Sequence, residues 1–533
     1  MSATATGPRR AVVIGSGFGG LAAAMRLQAA GLDVTVLERL PAPGGRASQL
    51  VDQGYTWDLG PSLVTMPWCF DELFALLDRD FRSEVELVPL DPFYRIEWPH
   101  DGTRLDFRGD VQAMQEELRR LSPHDADAYP AFLEASRLIH ENAVLAAGRR
   151  AFENPLPFAK LLPTLLRLDA ARNLSRFCSK FFDEEHVFQA MSFHSLYIGG
   201  DPYRVPAVYA ALAYLQVADG VWYTKGGMYA IVQAMVRALE GAGGTVRCSA
   251  DVDEIIVRGG RAIGVRLADG EIVPAEVVVS DADPVRTRTR LLKGATDSAP
   301  WRFRPPANGM SCFLLYLGTD RRWDQLLHHT LIVGPEYRRF IDDVTNRRVL
   351  PQDLSLYLHV PARSDDSMAP PGGDSLAVLL PVPNLASGDD WGQIGDAWRD
   401  KVLDYLEHDA GLEGLRASIR VEHRMTPQDF EKRYDADEGT AFSTEPVLTR
   451  SAYFRQPNRD RTVEGLYHVG AGAHPGAGVP GVLLGAEVAA GLVRRDLGVP
   501  ACGCPARACR CPASPCRVAT RSPATPTCPR PRR

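Results

Sequence analysis

AVVIGSGFGGLAAAMRLQAAGLDVTVLERL occupies residues 11–40. Ala11–Ile14 is a short apolar run suited to a buried parallel strand. Gly15, Gly17 and Gly20 follow as G-x-G-x-x-G. Leu21–Ala30 reads as an alanine-rich helix ended by Gly31, and Asp33–Leu37 as a second strand closed by Glu38. Each glycine has a task. The first makes the turn, the second admits a pyrophosphate to the backbone, and the third lets helix pack on strand. The helix N-terminus offers free N–H groups to phosphate, and Glu38 is spaced to accept from ribose hydroxyls. The fragment predicts an α/β dinucleotide site.

The continuation narrows the choice. ERLPAPGGRASQL runs from Glu38 into Gly44, Gly45 and Arg46, and DLGPS follows at Asp58–Ser62. A simple nicotinamide domain would place a helix crossover here. A glycine pair with an arginine instead suits an extended dinucleotide running on to a second ring. Near the other end, GAGAHPGAGVPGVLLGA spans Gly470–Ala486, with six glycines and no charge. It reads as a strand, a glycine turn and a helix from about Val479. A second bare helix N-terminus is a seat for the far end of the cofactor.

Composition bounds the rest. The chain has 533 residues, 45% hydrophobic and 24% charged, with a net charge of −6. That is room for two or three cores and argues against nucleic acid as a partner. Six of ten Cys lie between Cys502 and Cys528; Cys69, Cys178, Cys248 and Cys312 are widely spaced. The body therefore reads as reduced and cytoplasmic. The N-terminus carries no apolar signal region. The longest uncharged apolar run outside the glycine loop, Val205–Ala218, is too short for ~30 Å of hydrocarbon. Any membrane contact is expected to be peripheral. Residues 500–533, rich in Pro, Arg and Cys, cannot build a core and are expected to be disordered. Their irregular CxC spacings are not read as a zinc site.

Several longer stretches closely resemble the bacterial and fungal type of phytoene desaturase. They are Ser192–Tyr203 (SFHSLYIGGDPY), Gly220–Met228 (GVWYTKGGM), Asp324–Val344, Leu354–Leu385, Ser451–Asp460 (SAYFRQPNRD) and the opening loop. The resemblance covers residues ~9 to ~497. It implies a Rossmann-type, glutathione-reductase-like FAD-binding domain with an inserted α+β substrate domain and a helical membrane-associating region. The expected parts are 9–69, 220–308 and 431–499 for FAD, 70–219 and 309–430 for substrate, and 500–533 as the tail. It assigns Arg39, Gly45, Arg46, Gly60, Pro61 and Val252 to FAD, beside Gly15, Gly17, Gly20 and Glu38. Gly470, Gly472, Pro480, Gly481 and Val482 complete the set. The implied substrate is the C40 polyene phytoene, desaturated by hydride transfer to flavin, with oxygen or a quinone as final acceptor. Alternatives on the same fold are a carotenoid isomerase or saturase, a desaturase of another carotenoid, an amine oxidase, and a non-enzymatic lipid escort. The intact glycine elements count against the escort.

Such a substrate has no polar handle, so a long apolar channel must select it. Phe93, Tyr94, Phe181, Phe182, Phe193, Tyr197, Tyr209, Tyr214, Phe313 and Tyr316 are candidates to line it. No catalytic base is evident; His194 and His474 are candidates. The pair His328 and His329 lacks a third ligand at fitting spacing, so no metal is expected. Arg172, Arg176 and Lys180 recur at i, i+4, i+8, opposite Leu174, Phe177 and Phe181. Within Pro157–Phe182 this predicts a basic amphipathic helix at a membrane surface.

Overall fold

A computed structural model describes residues 8–293 and 307–499. The expectations for residues 500–533 lie outside it. The nucleotide-side sheet is five parallel strands in the order Leu466–His468, Val277–Ser280, Arg10–Ile14, Asp33–Leu37, Thr245–Arg247. Its strands come from four distant parts of the chain, so both ends of the sequence meet in one layer. Fully buried parallel strands need no alternation, and Val277–Ser280 is buried at every position. The helix Phe18–Ala29 starts three residues earlier than expected, directly after Gly17. It packs between Met228–Gly241 and Val479–Leu497. Ala22, Ala23 and Ala24 are almost wholly buried there, and their small side chains let helices close in on both sides. The expected meander is present as Val252–Arg258, Arg261–Leu267 and Ile272–Pro274, turning at Gly259-Gly260 and Asp269-Gly270.

The substrate side is organised by a seven-stranded sheet. Its order is Ile419–Met425, Ser311–Thr319, Asp374–Val382, Leu356–His359, His329–Ile332, Tyr94–Trp98, Thr103–Phe107. The two inserted segments therefore share one sheet, joined by the parallel pairing of Tyr94–Trp98 with His329–Ile332. Ser311–Thr319 is buried throughout, because helices and the small hairpin Gln49–Asp52/Tyr55–Asp58 cover the sheet. Tyr55 and Trp57 of that hairpin pack against Cys312, Leu314 and Tyr316. Among the described residues, Cys69, Cys178 and Cys312 are free and buried, and Cys248 is free and half-buried.

The predicted basic helix is not continuous. Pro155–Arg167 is one helix; the chain then reverses through Asp169, at φ +54°, and a short helix Leu174–Cys178 follows. Asn173 starts the second piece, its side-chain oxygen accepting from the Arg176 N–H. Asp169 takes ion pairs from both Arg172 and Lys180, which folds these cations back onto the turn. Leu174 and Phe177 are buried in the substrate-side core. An acidic residue in the left-handed region ended the helix where charge periodicity predicted its continuation. The exposed apolar face lies instead on Pro155–Arg167, where Leu156, Leu162 and Leu166 are 66%, 39% and 61% exposed.

Helix-on-strand closeness is the tightest constraint of the nucleotide side. A Cβ on Gly20 would stand 2.1 Å from the Gly15 carbonyl oxygen, which is backbone and cannot swing away. Gly20→Ala is expected to cost at least about 1–3 kcal/mol. Thermal denaturation of the purified variant checks this, and an unchanged Tm would contradict it.

Candidate cofactor and substrate cavity

The glycine loop forms as its spacing requires. Gly15 turns at φ +92°, and its N–H donates to the Leu37 carbonyl at 2.8 Å. Gly17 at the N-cap offers no side chain to the first turn of Phe18–Ala29, which borders the cavity. Glu38, 5% exposed, ends the second strand. One of its oxygens accepts from the Ser16 N–H at 2.9 Å and the Ser16 hydroxyl at 2.6 Å; the other accepts from the Leu40 N–H. Glu38 thus braces the loop as well as lining the cavity. Gly44 and Gly45 both take positive φ, which brings Gly45 under Gly17. Arg46 donates to the Thr440 carbonyl at 3.3 Å, while its Nε is buried without a partner. Gly60 fits there because a Cβ would meet the Arg46 carbonyl oxygen at 2.3 Å. Pro61, Val252 and Arg39 also line the wall, the Arg39 guanidinium donating to the Lys432 carbonyl.

The C-terminal loop closes the same cavity. Gly470, His474, Pro480, Gly481 and Val482 all line it. Gly478 precedes the helix Val479–Leu497, whose first turn again lacks a side-chain cap. A Cβ on Gly481 would lie 2.8 Å from the Gly476 oxygen, so glycine here lets the loop fold over the helix start. Gly472 is a correction: it is not in the wall. A Cβ there would strike the Pro284 ring at 2.3 Å, so its glycine serves packing behind the loop. Gly20 is likewise behind the wall, in the helix–strand contact.

Two charged residues of the site were not singled out in the sequence. Arg455 is 3% exposed and lines the cavity. Its Nη2 donates to the Thr444 and Ala471 carbonyls, while Nε and Nη1 have no partner. A buried guanidinium with free donors suits an electron-rich ligand. It sits in SAYFRQPNRD, which carried the resemblance, but arginine alone in a loop gave no chemical signal. Asp281 follows the strand Val277–Ser280 and turns into the glycine loop. Cβ atoms on Gly17 and Gly19 would each lie 2.6 Å from its carboxylate. Burial pushes its pKa up to about 7, against the N–H groups of Gly20 and Gly17 and the charge of Arg46.

Beyond the glycines the cavity turns apolar. Its volume is about 670 Å³, continuous from Gly15 and Glu38 to a wall of Trp98, Leu212, Leu314, Leu331, Phe340 and Leu379. Of the aromatic candidates, Phe193, Tyr197 and Tyr209 line it. Phe93, Tyr94, Phe181, Phe182, Tyr214, Phe313 and Tyr316 do not; Tyr94, for one, is fully buried among Phe107, Phe193 and His194. His194 stands behind the wall, bonded to Tyr94 Oη at 2.8 Å, and Tyr94 donates on to Gln216. His474 lines the cavity edge-on to Phe152. Burial lowers both histidines to about 4, so each is neutral at physiological pH. The sequence objection to a histidine cluster also falls. The register of the large sheet places His359 opposite His329, and ligand atoms of His328, His329 and His359 lie within 4.8 Å of one another.

The model of the family described as flavin containing amine oxidoreductase matches residues 18–494. The chain belongs to this family. Lycopene-forming phytoene desaturase from Pseudescherichia vulneris is 41% identical over 494 residues, 92% of this chain and 100% of that one. Neurosporene-forming phytoene desaturase from Rhodobacter capsulatus is 41% identical over 502 residues, 92% of this chain and 95% of that one. In fold, the chain is similar to cyclohexylamine oxidase from Brevibacterium oxydans, with a TM-score of 0.58 at 17% identity, covering 92% and 100%. Its cofactor is FAD. The glycine cradles fit that group: their missing Cβ atoms leave room beside two helix starts, and Arg46 and Arg455 hold unpartnered donors.

Asp281 is expected to make FAD binding sensitive to pH. Above about 7 its carboxylate adds negative charge beside the expected pyrophosphate seat, so affinity should fall as pH rises from 6 to 8. The folded pKa is raised, so the neutral carboxyl contributes stability at low pH that is lost as pH passes 7. Titration of apoprotein with FAD across this range should show that slope, and Asp281→Asn should flatten it. An equal slope in the variant would exclude Asp281 as its source.

Proposed function

We propose that this protein desaturates phytoene with FAD as hydride acceptor, working at the surface of a membrane. One observation carries the chemistry: the apolar chamber and the glycine cradles are a single cavity. A dinucleotide seated on the two helix starts would extend towards a space suited to hydrocarbon. The polar lining that an amine would need is sparse there, and the relatives over nearly the whole chain are named phytoene desaturases. When bound, FAD supplies the two-electron oxidation. The chain's own work is to hold a CH2–CH2 unit against it, in register, and to exclude water. The two electrons from each unit go on to oxygen or a membrane quinone. Lycopene and neurosporene are products of the two relatives above, and products of this kind are proposed here.

Delivery from a bilayer is assigned to the helix Pro155–Arg167. No helix among the described residues is long and apolar enough to cross a membrane. This helix instead exposes Leu156, Leu162 and Leu166 beside exposed Lys160 and Arg167. Leucines that sink into acyl chains beside cations at headgroup level form an interfacial anchor. The helix also borders the cavity, for Phe158 packs on Tyr453 and Phe454, next to the lining residues Ser451 and Ala452.

Expression in a phytoene-accumulating cell should yield coloured carotenes with the stepped absorbance of conjugated polyenes. An unchanged colourless extract would refute the desaturase reading. Replacing Leu156, Leu162 and Leu166 together by Ser should abolish most liposome binding, since each buried leucine contributes about 1.5–3 kcal/mol. Flavin content should be unaffected, and turnover should fall far more with phytoene in liposomes than in detergent. Unaltered vesicle binding would remove this helix as the anchor.

A further inference from the structure

Desaturation removes a hydride and then a proton, and neither histidine expected from the sequence suits the second step. His194 is outside the cavity, and His474 is buried in the C-terminal loop, edge-on to Phe152. Another polar group faces the junction of the two halves of the cavity. Tyr357 lies on the large sheet in a row that is otherwise leucine: Leu314 pairs with Leu379, Leu379 with Tyr357, and Tyr357 with Leu331. All four line the cavity. The Tyr357 hydroxyl is 2.7 Å from the Ser62 hydroxyl, next to Gly60 and Pro61, and 2.7 Å from Nδ1 of His329. The same register that pairs His329 with His359 sets His329 diagonally beside Tyr357.

Resting on the desaturase reading, we propose that Tyr357 and His329 form the proton-accepting pair of the reaction, with Tyr357 the catalytic residue and His329 the residue that positions and relieves it. Loss of hydride to FAD leaves a delocalised cation on the polyene. The adjacent C–H bond then breaks, and its electrons become the new π bond. The proton passes to Tyr357 Oη as the tyrosine's own proton moves to His329 Nδ1. The substrate loses two electrons, FAD gains two, and His329 holds the proton. A C–H bond beside a carbocation is strongly acidic, so a weak base suffices. Desolvation keeps His329 and His359 well below their ordinary value and His328 at about 3, so all three rest neutral and ready to accept.

The proton has a way out. His329 Nε2 is buried without a partner, and the ring packs against those of His328 and His359. One nitrogen of each imidazole lies within 4.8 Å of the others, a gap that a bridging water would span. His359 Nε2 lies 3.2 Å from His328 Nε2, and His328 Nδ1 lies 2.8 Å from the hydroxyl of Ser364, which is half-buried. The groups that bias this chain are Arg363 and Tyr223 beside His328, and Asp58 near Tyr357. Arg363 disfavours a resting charge on His328, so a proton arriving there moves on.

The test uses the FAD-loaded full chain with Tyr357→Phe and His329→Asn. The first keeps the ring and deletes the proton carrier; the second keeps an acceptor that cannot take a proton. Both should retain flavin and Tm, with turnover lowered about 10²–10⁴-fold and KM little changed. Wild-type turnover should fall as acid protonates His329, below its ordinary value near 6.5, and the His329→Asn profile should be flat. Phytoene deuterated at the carbon that loses the proton should show a larger isotope effect in both variants. Variants within threefold of an active wild type, with the same isotope effect, would overturn the pair's role alone. An inactive wild type would overturn the desaturase reading and the pair with it. One metal ion per wild-type chain, lost in His359→Ala, would also overturn the proposal by making the three imidazoles ligands.

Discussion

The structure depends on how closely the helix Phe18–Ala29 can approach the two loops at its start. Gly20 touches the Gly15 carbonyl, and a Cβ on Gly19 would lie 2.8 Å from the Gly470 nitrogen. The second contact joins residues from opposite ends of the chain. Two helix N-termini, those of Phe18–Ala29 and Val479–Leu497, therefore border one cavity, with the Asp281 carboxylate set against the first. Partial positive charge from both ends then falls on the same ligand, which a single glycine loop could not arrange.

That closeness also explains the division of labour along the cavity. Near the glycines the wall is backbone and a few buried charges, Glu38, Arg46, Asp281 and Arg455. Past Ser62 the wall is side chains from the seven-stranded sheet and its covering helices, and leucines dominate. Polar and apolar linings therefore occupy opposite ends of one space. Tyr357 stands where they meet, as the polar member of a leucine row.

The same large sheet shows why distant insertions belong together. Its parallel pairing of Tyr94–Trp98 with His329–Ile332 links segments more than two hundred residues apart. Loop-closure entropy for such a pairing is offset only when a wide apolar face is buried at once. Here both faces are buried, Trp98, Leu105 and Phe107 on one and Leu315, Leu317 and Leu358 on the other, all at most 1% exposed.

Local chemistry made much of this protein legible in its sequence. Gly15, Gly17, Gly20 and Glu38 act within one strand–helix–strand unit, and the loop before Val479 acts within one turn, so spacing alone specified them. The resemblance in the longer motifs supplied the family. What spacing could not carry was any arrangement made across strands or across a reversal. Asp169 broke a helix that charge periodicity continued, because its left-handed backbone and its pairs with Arg172 and Lys180 depend on how the turn packs. Seven of the ten aromatic candidates lie outside the cavity wall, five of them in the core and Phe181 and Tyr214 half-buried, since hydrophobicity does not say which face of a layer a ring will meet. His359 lies thirty residues from His329 in the chain, and only strand register sets them side by side. The sequence by itself determined the glycine turns, because backbone geometry near glycine is a local property. Tertiary structure decided the cavity wall, the exposed helix and the histidine cluster, because each is a contact between elements that the chain holds apart.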